Sequence, residues 1–557
     1  MIEYDALPAI YGSPAYVYDL DRVDRARAEL VESLPAGATL LYSLKANPHV
    51  AVVRTLVEGG CRPEISSTGE LAAALQGGGE PAGFVYTGPG KTAGEIAAAL
   101  DAGVRTFSVE SPTDLRRVAG IARGRGVTAR CLLRVNGAEA AGHAGMRMTG
   151  AASQFGTDAE LLAGMRAELT GPDTDGARIV GFHFFPVTNA IDGDALLAEL
   201  LGSIRTADRL RTELGVEVTQ LDLGGGFACP FATPGERPRY PGLRVALEAE
   251  LDTRFPGWRT GEVEVAFESG RHLVGDSGTL LCSVSDVKHS RGTRFVVLDA
   301  GINHLGGLSG IGRLLPLSAT PLAGAPVPGP ADAPADGPGE PTRLVGPLCT
   351  PADTLGRGAT ELPPVTPGQV LAIPNVGAYG ATASLIGFLS RPGAVEIAVR
   401  GAEVVSATRL ELVRTPVTAA GTVPAAAPDT ATGTATGTAG SSRTDAAAGA
   451  NDGANDGTND GTNAGTTGSV NGGVNGGGWD PAFPAVLRSV LPRLAGSDAE
   501  VGPDDSLRVA GLDSLALVEV LVRLEETYAV TIPDELLTPE VFETPRGLWT
   551  LLGSVRA

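Results

Sequence analysis

Lysine is the rarest charged residue in this chain of 557 residues, with an amine only at Lys45, Lys91 and Lys288 among 43 basic side chains. Chemistry that needs an amine nucleophile therefore has three candidates. Lys45 stands in Tyr42-Ser43-Leu44-Lys45-Ala46-Asn47, directly after an apolar run, whereas the ordinary fate of lysine is a solvated surface. Among apolar strands its amine is expected to have a lowered pKa and to act as a Schiff-base nucleophile. Farther along, Gly224, Gly225 and Gly226 offer backbone N–H groups that can approach a phosphate closely, and Glu268-Ser269-Gly270-Arg271 adds a bidentate guanidinium. A glycine triplet alone is more often a turn, and Cys229 occupies the place where a dinucleotide-binding fingerprint needs its third glycine. An amine, a phosphate cradle and an acid, Glu268, for a pyridine nitrogen are together what pyridoxal 5′-phosphate requires.

These residues lie far apart in the chain, so the elements must bring them together. Between residues 39 and 271 short β-rich runs alternate with helical Ala/Leu/Glu/Arg stretches, the pattern of repeated βα units around a parallel sheet. The runs are 39–46, 62–67, 84–88, 105–111, 128–136, 177–185, 218–227 and 263–271. Eight units predict an α/β fold of the closed (β/α)8 TIM-barrel type, with a doubly wound open sheet as the alternative. In such barrels reactive groups sit at the C-terminal strand ends, where the first run ends in Lys45-Ala46, the seventh in the glycines and the eighth in Glu268–Arg271.

Beyond residue 275 strands follow one another with Gly and Pro breaks, which predicts an all-β domain with a Pro-rich loop at 321–341. From about residue 416 to Gly478 Ala, Gly, Thr, Asn and Asp dominate with almost nothing apolar to bury, the composition of a disordered linker. Helical periodicity then returns, and Leu517, Leu521, Leu524 and Tyr528 mark one apolar face of a small helical bundle. The expected domains are a 1–274 barrel, whose N-terminal strand is free to join the β domain, a 275–414 β domain, a 415–478 linker and a 479–557 bundle.

A net charge of −21 argues against binding nucleic acid. The five cysteines are odd in number and scattered without a C-x-x-C, so neither a disulfide framework nor a metal site is expected and a reducing, cytoplasmic compartment fits. Neither a signal peptide nor a membrane-spanning run is seen.

PAYVYDLDRV, YSLKANPH, EISSTGEL, YTGPGKT, LRVN, SQFGTD, LDLGGGF, ESGRHLV, GPLCTPAD and GAYG occur in this order, and residues 8–414 thereby resemble the fold-type III pyridoxal-phosphate decarboxylases of amino acids, which include diaminopimelate and ornithine decarboxylases. The resemblance implies that Lys45 binds the cofactor covalently, that Glu268 meets the pyridine nitrogen, and that Gly224, Gly225, Gly226, Gly270, Arg271 and Tyr379 surround the phosphate. It further implies a homodimer in which Cys349, the proton donor, and Tyr379 reach into the partner's barrel. A lone cysteine is otherwise more often an inert buried thiol.

Two departures stand out. Where that family carries a ring-stacking His in a His-x-Gly-Ser context, this chain has Phe185 and, at the serine, Thr188; Phe185 can stack without a charge, and His183 is expected to be structural. After Cys349, relatives acting on basic substrates place an acid, and here Thr350 is neutral, which disfavours diaminopimelate, ornithine and lysine; Asp353 is the remaining acid for substrate, structure or interface.

Gly511-Leu512-Asp513-Ser514-Leu515, together with the later Ile532–Glu535, resembles the phosphopantetheine site of acyl and peptidyl carrier proteins and places the 4′-phosphopantetheine arm on Ser514, although Asp513 or Ser514 would also serve as a helix cap. The combined expectation is decarboxylation of an Asp- or Glu-type aminoacyl group tethered to a carrier through its side-chain carboxyl, for antibiotic-type biosynthesis. Its partners would be a phosphopantetheinyl transferase, an acyl-loading ligase and downstream assembly-line enzymes. A decarboxylase of a free amino acid, a racemase and a scaffold without turnover are the rivals. A linker of roughly 63 residues spreads over about 45 Å as a random coil, enough for the carrier to serve its own site or its dimer partner's.

Overall fold

The computed structural model describes residues 4–137, 146–147, 153–306, 319–322, 340–356, 359–415, 479–491, and 501–556 apart from 508, 511, 513, 529, 531, 533–535 and 538. Strand β1 (Ala15–Asp19) precedes a ring of parallel strands: β2 (Thr39–Ser43), β3 (Arg62–Ile65), β4 (Val85–Tyr86), β5 (Thr106–Val109), β6 (Ala129–Asn136), β7 (Ala177–His183), β8 (Gln220–Asp222) and β9 (Glu264–Ser269). Each pairs with the next, and the ring closes where Glu268 and Ser269 of β9 lie beside Leu41 and Tyr42 of β2. The barrel expected from the eight runs is therefore the fold, and the open sheet is excluded.

Local chemistry explains why helices follow these strands at defined points. The helices Thr68–Gln76, Ala93–Ala102 and Pro112–Gly124 each open on a hydroxyl cap: Ser67, Thr92 and Ser111 accept the amides of Glu70, Glu95 and Asp114. Thr92 and Glu95 complete a reciprocal capping box.

The period of two along the strands then sorts side chains between the helices and the barrel interior, with one break in β7, where a bulge at Val180 lets both Val180 and His183 face inward. Leu40 and Tyr42, Cys131 and Leu133, Phe182, Leu221, and Val265 and Phe267 pack in the large helix-side cluster. Leu41, Val85, Leu132, Val180 and Ala266 form a separate small cluster and fill the interior. Residues of this inward set nearer the C-terminal strand ends are polar: Ser43, Glu64, Ser108, Arg134, His183, Asp222 and Glu268, all buried. An apolar floor thus carries a polar mouth.

The β domain contains β10 (Gly278–Ser290), β11 (Thr293–Leu298), β12 (Glu340–Val345), β13 (Thr360–Leu362), β14 (Val370–Ile373), β15 (Val395–Arg400) and β16 (Glu403–Arg409). Its strand order is β13-β12-β11-β10-β1-β15-β16, with β14 also on β10. The N-terminal strand β1 is thus a central strand of this sheet, antiparallel to β10 and parallel to β15. Buried Tyr16, Val17 and Tyr18 supply apolar side chains to both of its faces.

In the C-terminal region, the helices Ala482–Val490, Ser514–Tyr528 and Pro545–Arg556 share a core of their own. The expected face is buried at Leu517, Leu521 and Leu524, with Tyr528 packed against it, and Phe483 meets Trp549 edge-on at 5.0 Å. The linker segment 416–478, most of the Pro-rich loop, and Gly511, Asp513 and residues 533–535 of the carrier motifs lie outside the described residues. Among the described residues no helix is long and apolar enough to cross a membrane.

Candidate active site

Of the three lysines, two are accounted for by their surroundings. Lys91 is buried, with Nζ 2.7 Å from Asp114 and donating to the Gly88 carbonyl, and Lys288 is exposed on β10. Lys45 follows β2 on a short 3-10 turn (Leu44–Ala46), and its Nζ stands 3.7 Å from Glu64 Oε2 at the end of β3. Desolvation lowers the pKa of this ammonium, but Glu64 and Glu268 outweigh that, and the net shift is upward. The lowered pKa expected from apolar surroundings is therefore corrected: the strands are apolar, yet their inward ends are acidic.

Phe185 leaves β7 for the mouth, and its ring centroid lies 5.4 Å from Lys45 Nζ. The glycine run after β8 packs against this segment. Gly224 has a φ of 69°, and a Cβ there would stand 2.1 Å from the Phe184 carbonyl oxygen; at Gly225 a Cβ would stand 2.1 Å from that of Glu268. No side chain fits at either place. Gly226 carries the bridge onward, its carbonyl accepting the Ala190 amide. Thr188 sits in a two-residue strand opposite Met146.

At the end of β9, Glu268 is buried, with Oε1 3.2 Å from His183 Nε2. Burial raises the pKa of this carboxyl, but His183, Lys45 and Arg134 outweigh it and hold it below the usual range. Gly270 is pressed against Ala46, where a Cβ would stand 2.8 Å from the alanine's own. Arg271 lies over the ring of Tyr379, 4.7 Å from its centroid.

Tyr379 itself holds a left-handed φ of 55°, and its amide donates to the Ala46 carbonyl at 2.8 Å. The expectation that Tyr379 reaches into a partner's barrel is thus corrected: the backbone bond beside Lys45 ties it to its own. Asp353 is also corrected as a substrate-binding residue. It is buried, Oδ1 accepting the Ile302 amide at 2.8 Å and Oδ2 the Leu348 amide at 2.6 Å, so its charge is spent holding the loop that carries Cys349. Cys349 is exposed, which removes the buried-thiol reading, and the Thr350 hydroxyl accepts the Ala352 amide within the same loop.

Sequence reasoning named no role for Glu64 or Arg134. Glu64 accepts a hydrogen bond from Thr87, and Arg134 pairs with Glu110 at 3.0 Å while lying 4.5 Å from the centroid of the Phe155 ring. The usable signal was a charged residue close to the C-terminal end of a barrel strand.

Pyridoxal 5′-phosphate fits these residues. Glu64 Oε2 is buried without a hydrogen-bond partner, an amine faces an aromatic ring, and side-chain-free backbone lines the loops after β8 and β9.

Comparison with known proteins agrees. Residues 20–275 match the pyridoxal-binding domain model of the pyridoxal-dependent decarboxylases, and residues 485–551 match the phosphopantetheine attachment site model. A diaminopimelate decarboxylase of Methanothermobacter thermautotrophicus is 31% identical over 71% of this chain and 88% of its own length. An L-glutamyl-[BtrI acyl-carrier protein] decarboxylase of Niallia circulans is 27% identical over 72% of this chain and 91% of its own length. The crystal structure of the Helicobacter pylori diaminopimelate decarboxylase superposes with a TM-score of 0.61 at 26% identity, covering 72% of this chain and 95% of that one. The chain belongs to the pyridoxal-dependent decarboxylases. It is a lyase that uses pyridoxal 5′-phosphate and carries, on the same polypeptide, a phosphopantetheine-bearing carrier region.

Proposed function

We propose that this enzyme removes the α-carboxylate of an aspartyl- or glutamyl-type group held as a thioester on the phosphopantetheine arm of Ser514, giving a β- or γ-amino acyl thioester for an antibiotic-type assembly line. The observation that carries the reading is the joining of a decarboxylase and a phosphopantetheine site in one chain. A relative whose name specifies a glutamyl group on a carrier protein supports it.

The chemistry narrows the acyl group. Reaction at the cofactor needs a free α-amine, and loss of CO2 needs a free α-carboxylate, so the thioester must use a second acid. A dicarboxylic amino acid provides one. Tethering removes the distal charge, in keeping with the neutral Thr350 beside Cys349 and with an Asp353 already bonded to backbone amides.

Bound pyridoxal 5′-phosphate supplies the electron sink for breaking the bond from Cα to the carboxylate. Lys45 would hold the cofactor through its amine. Glu268 would meet its ring nitrogen, Phe185 its ring, and Gly224, Gly225, Gly226, Gly270, Thr188, Arg271 and Tyr379 would hold its phosphate side. Cys349, supplied by a second copy of the chain in a homodimer, returns a proton to Cα. A phosphopantetheinyl transferase, a loading ligase and later assembly enzymes complete the partners, and five unpaired cysteines suit a reducing cytoplasm.

The test is intact-protein mass spectrometry of the full chain with its arm loaded with side-chain-linked glutamate or aspartate. Loss of one CO2 from the tethered species is expected. Turnover of free diaminopimelate or ornithine with no loss from either tethered acid would overturn the proposal in favour of a free-amino-acid decarboxylase.

A further inference from the structure

Beside Glu268 lie two ionisable residues that the proposed chemistry does not use. His183 ends β7 and Asp222 ends β8; both are buried, and one ligand atom from each lies within 4.8 Å of Glu268's and of the other's. His183 Nε2 stands 3.2 Å from Glu268 Oε1, while Nδ1 shares a 2.7 Å hydrogen bond with buried Ser108 of β5. Asp222 Oδ1 accepts the Gly224 amide at 3.0 Å, and its Oδ2, like His183 Nε2 and Glu268 Oε1, is buried without a well-formed hydrogen bond. Such orphaned atoms are costly in a packed interior unless charge compensates them.

We propose that His183 is a positioning residue for the cofactor: its imidazolium, anchored by Ser108 and facing Asp222, keeps Glu268 an anion toward the pyridine nitrogen. Two buried carboxylates this close would otherwise share a proton, and a protonated Glu268 could no longer favour a protonated ring. The positive charge beside the pair makes Glu268 its ionised member and leaves the proton to Asp222. The remaining charges facing the cluster come from other strands: Lys45 after β2, Glu64 of β3 and Arg134 of β6. Burial alone would lower the pKa of His183, but Glu268 and Asp222 raise it overall; burial and Glu268 push Asp222 up to about 7. An imidazole with two carboxylates is also a set that could hold a divalent cation, but Lys45 and Arg134 beside Glu268 oppose a second positive centre.

This inference rests on the assignment of Glu268 to the ring nitrogen and not on the substrate proposed above. The full chain is loaded with pyridoxal 5′-phosphate isotopically labelled at the ring nitrogen, whose magnetic resonance shift reports protonation directly. The unaltered enzyme is expected to show a protonated ring. His183→Phe should shift the signal to the unprotonated position and weaken cofactor binding about tenfold or more, as one lost pKa unit of interaction implies. His183→Gln, which keeps a donor but no charge, should not restore it. A protonated ring in His183→Gln or His183→Phe overturns the proposal. Histidine resonances of the unaltered enzyme decide the matter even if a variant fails to fold: His183 must stay doubly protonated through neutral pH, and titration at the ordinary histidine value overturns the claim. Glu268→Gln separates the premises. If it leaves the ring protonated, the Glu268 assignment fails; if it alone changes the ring, only the role of His183 fails.

Discussion

Lys45 shows how far a residue's meaning depends on its neighbours. The nearby charges of Glu64 and Glu268 raise its pKa, and its ammonium pairs with Glu64. Borohydride treatment of the cofactor-loaded enzyme should fix the cofactor on the peptide bearing Lys45, and Lys45→Ala should abolish that label. Label retained in Lys45→Ala would dismiss the assignment; Lys91 and Lys288 should not become labelled in its place. Asp222 supports a second prediction. Its carboxyl titrates at about 7 when folded and at about 3.9 in an unfolded chain. The folded state thus binds more protons across that window, and this residue's contribution to stability declines as pH rises through it. Asp222→Asn removes the decline, so from pH 5 to pH 8 the variant's urea stability should gain on the parent's by on the order of 1 kcal/mol or more. Parallel pH profiles would refute this.

Among the elements, the loop from Gly346 to Asp353 does the least conventional job. It has little regular structure, yet Asp353 folds back to take the amides of Leu348 and Ile302, and Gly301 and Gly346 leave no room for a Cβ beside the carboxylate. Cys349 is therefore held exposed on a rigid turn. Asp353→Ala leaves two buried amides without acceptors and should cost about 2–5 kcal/mol of stability, measurable by urea unfolding. It should also slow turnover by loosening the turn. An unchanged unfolding midpoint would show that the loop is held otherwise. On the helix Ala93–Ala102, Thr92→Ala removes the hydroxyl half of a capping box, leaving the Glu95 amide without its acceptor, and should cost about 1 kcal/mol with cofactor affinity unaltered.

At the scale of the whole molecule, the site divides between elements that one barrel supplies and one that a second copy is proposed to supply. Tyr379 is bound to Ala46 beside its own Lys45, so the two belong to one half-site. In a homodimer, mixing Lys45→Ala with Cys349→Ala chains should restore about a quarter of full activity, since half the dimers are mixed and each of those has one intact site. Mixing Lys45→Ala with Tyr379→Ala should restore nothing. Assays after co-refolding distinguish the two, and rescue of the second pair would return Tyr379 to the partner's side.

Much of the architecture was legible in the order of the residues, because barrel strands are short, local and periodic. The alternation of β runs and helices set the eight units, and the position after a strand pointed to Lys45, Gly224 and Glu268 before any coordinates. Apolar spacing likewise defined the face at Leu517, Leu521 and Leu524. What the order of residues could not decide depends on which side chains face each other across the ring. Glu64, Asp222 and Glu268 are separated by many residues and converge only when β9 closes on β2, and their mutual fields raise the Lys45 and His183 pKa values against the direction that burial alone dictates. The membership of β1 in the distant sheet, the own-barrel place of Tyr379 and the structural role of Asp353 are likewise long-range pairings. A residue's type and spacing record its local preference; its partner across several hundred residues is chosen by packing and closure, which only the tertiary structure expresses.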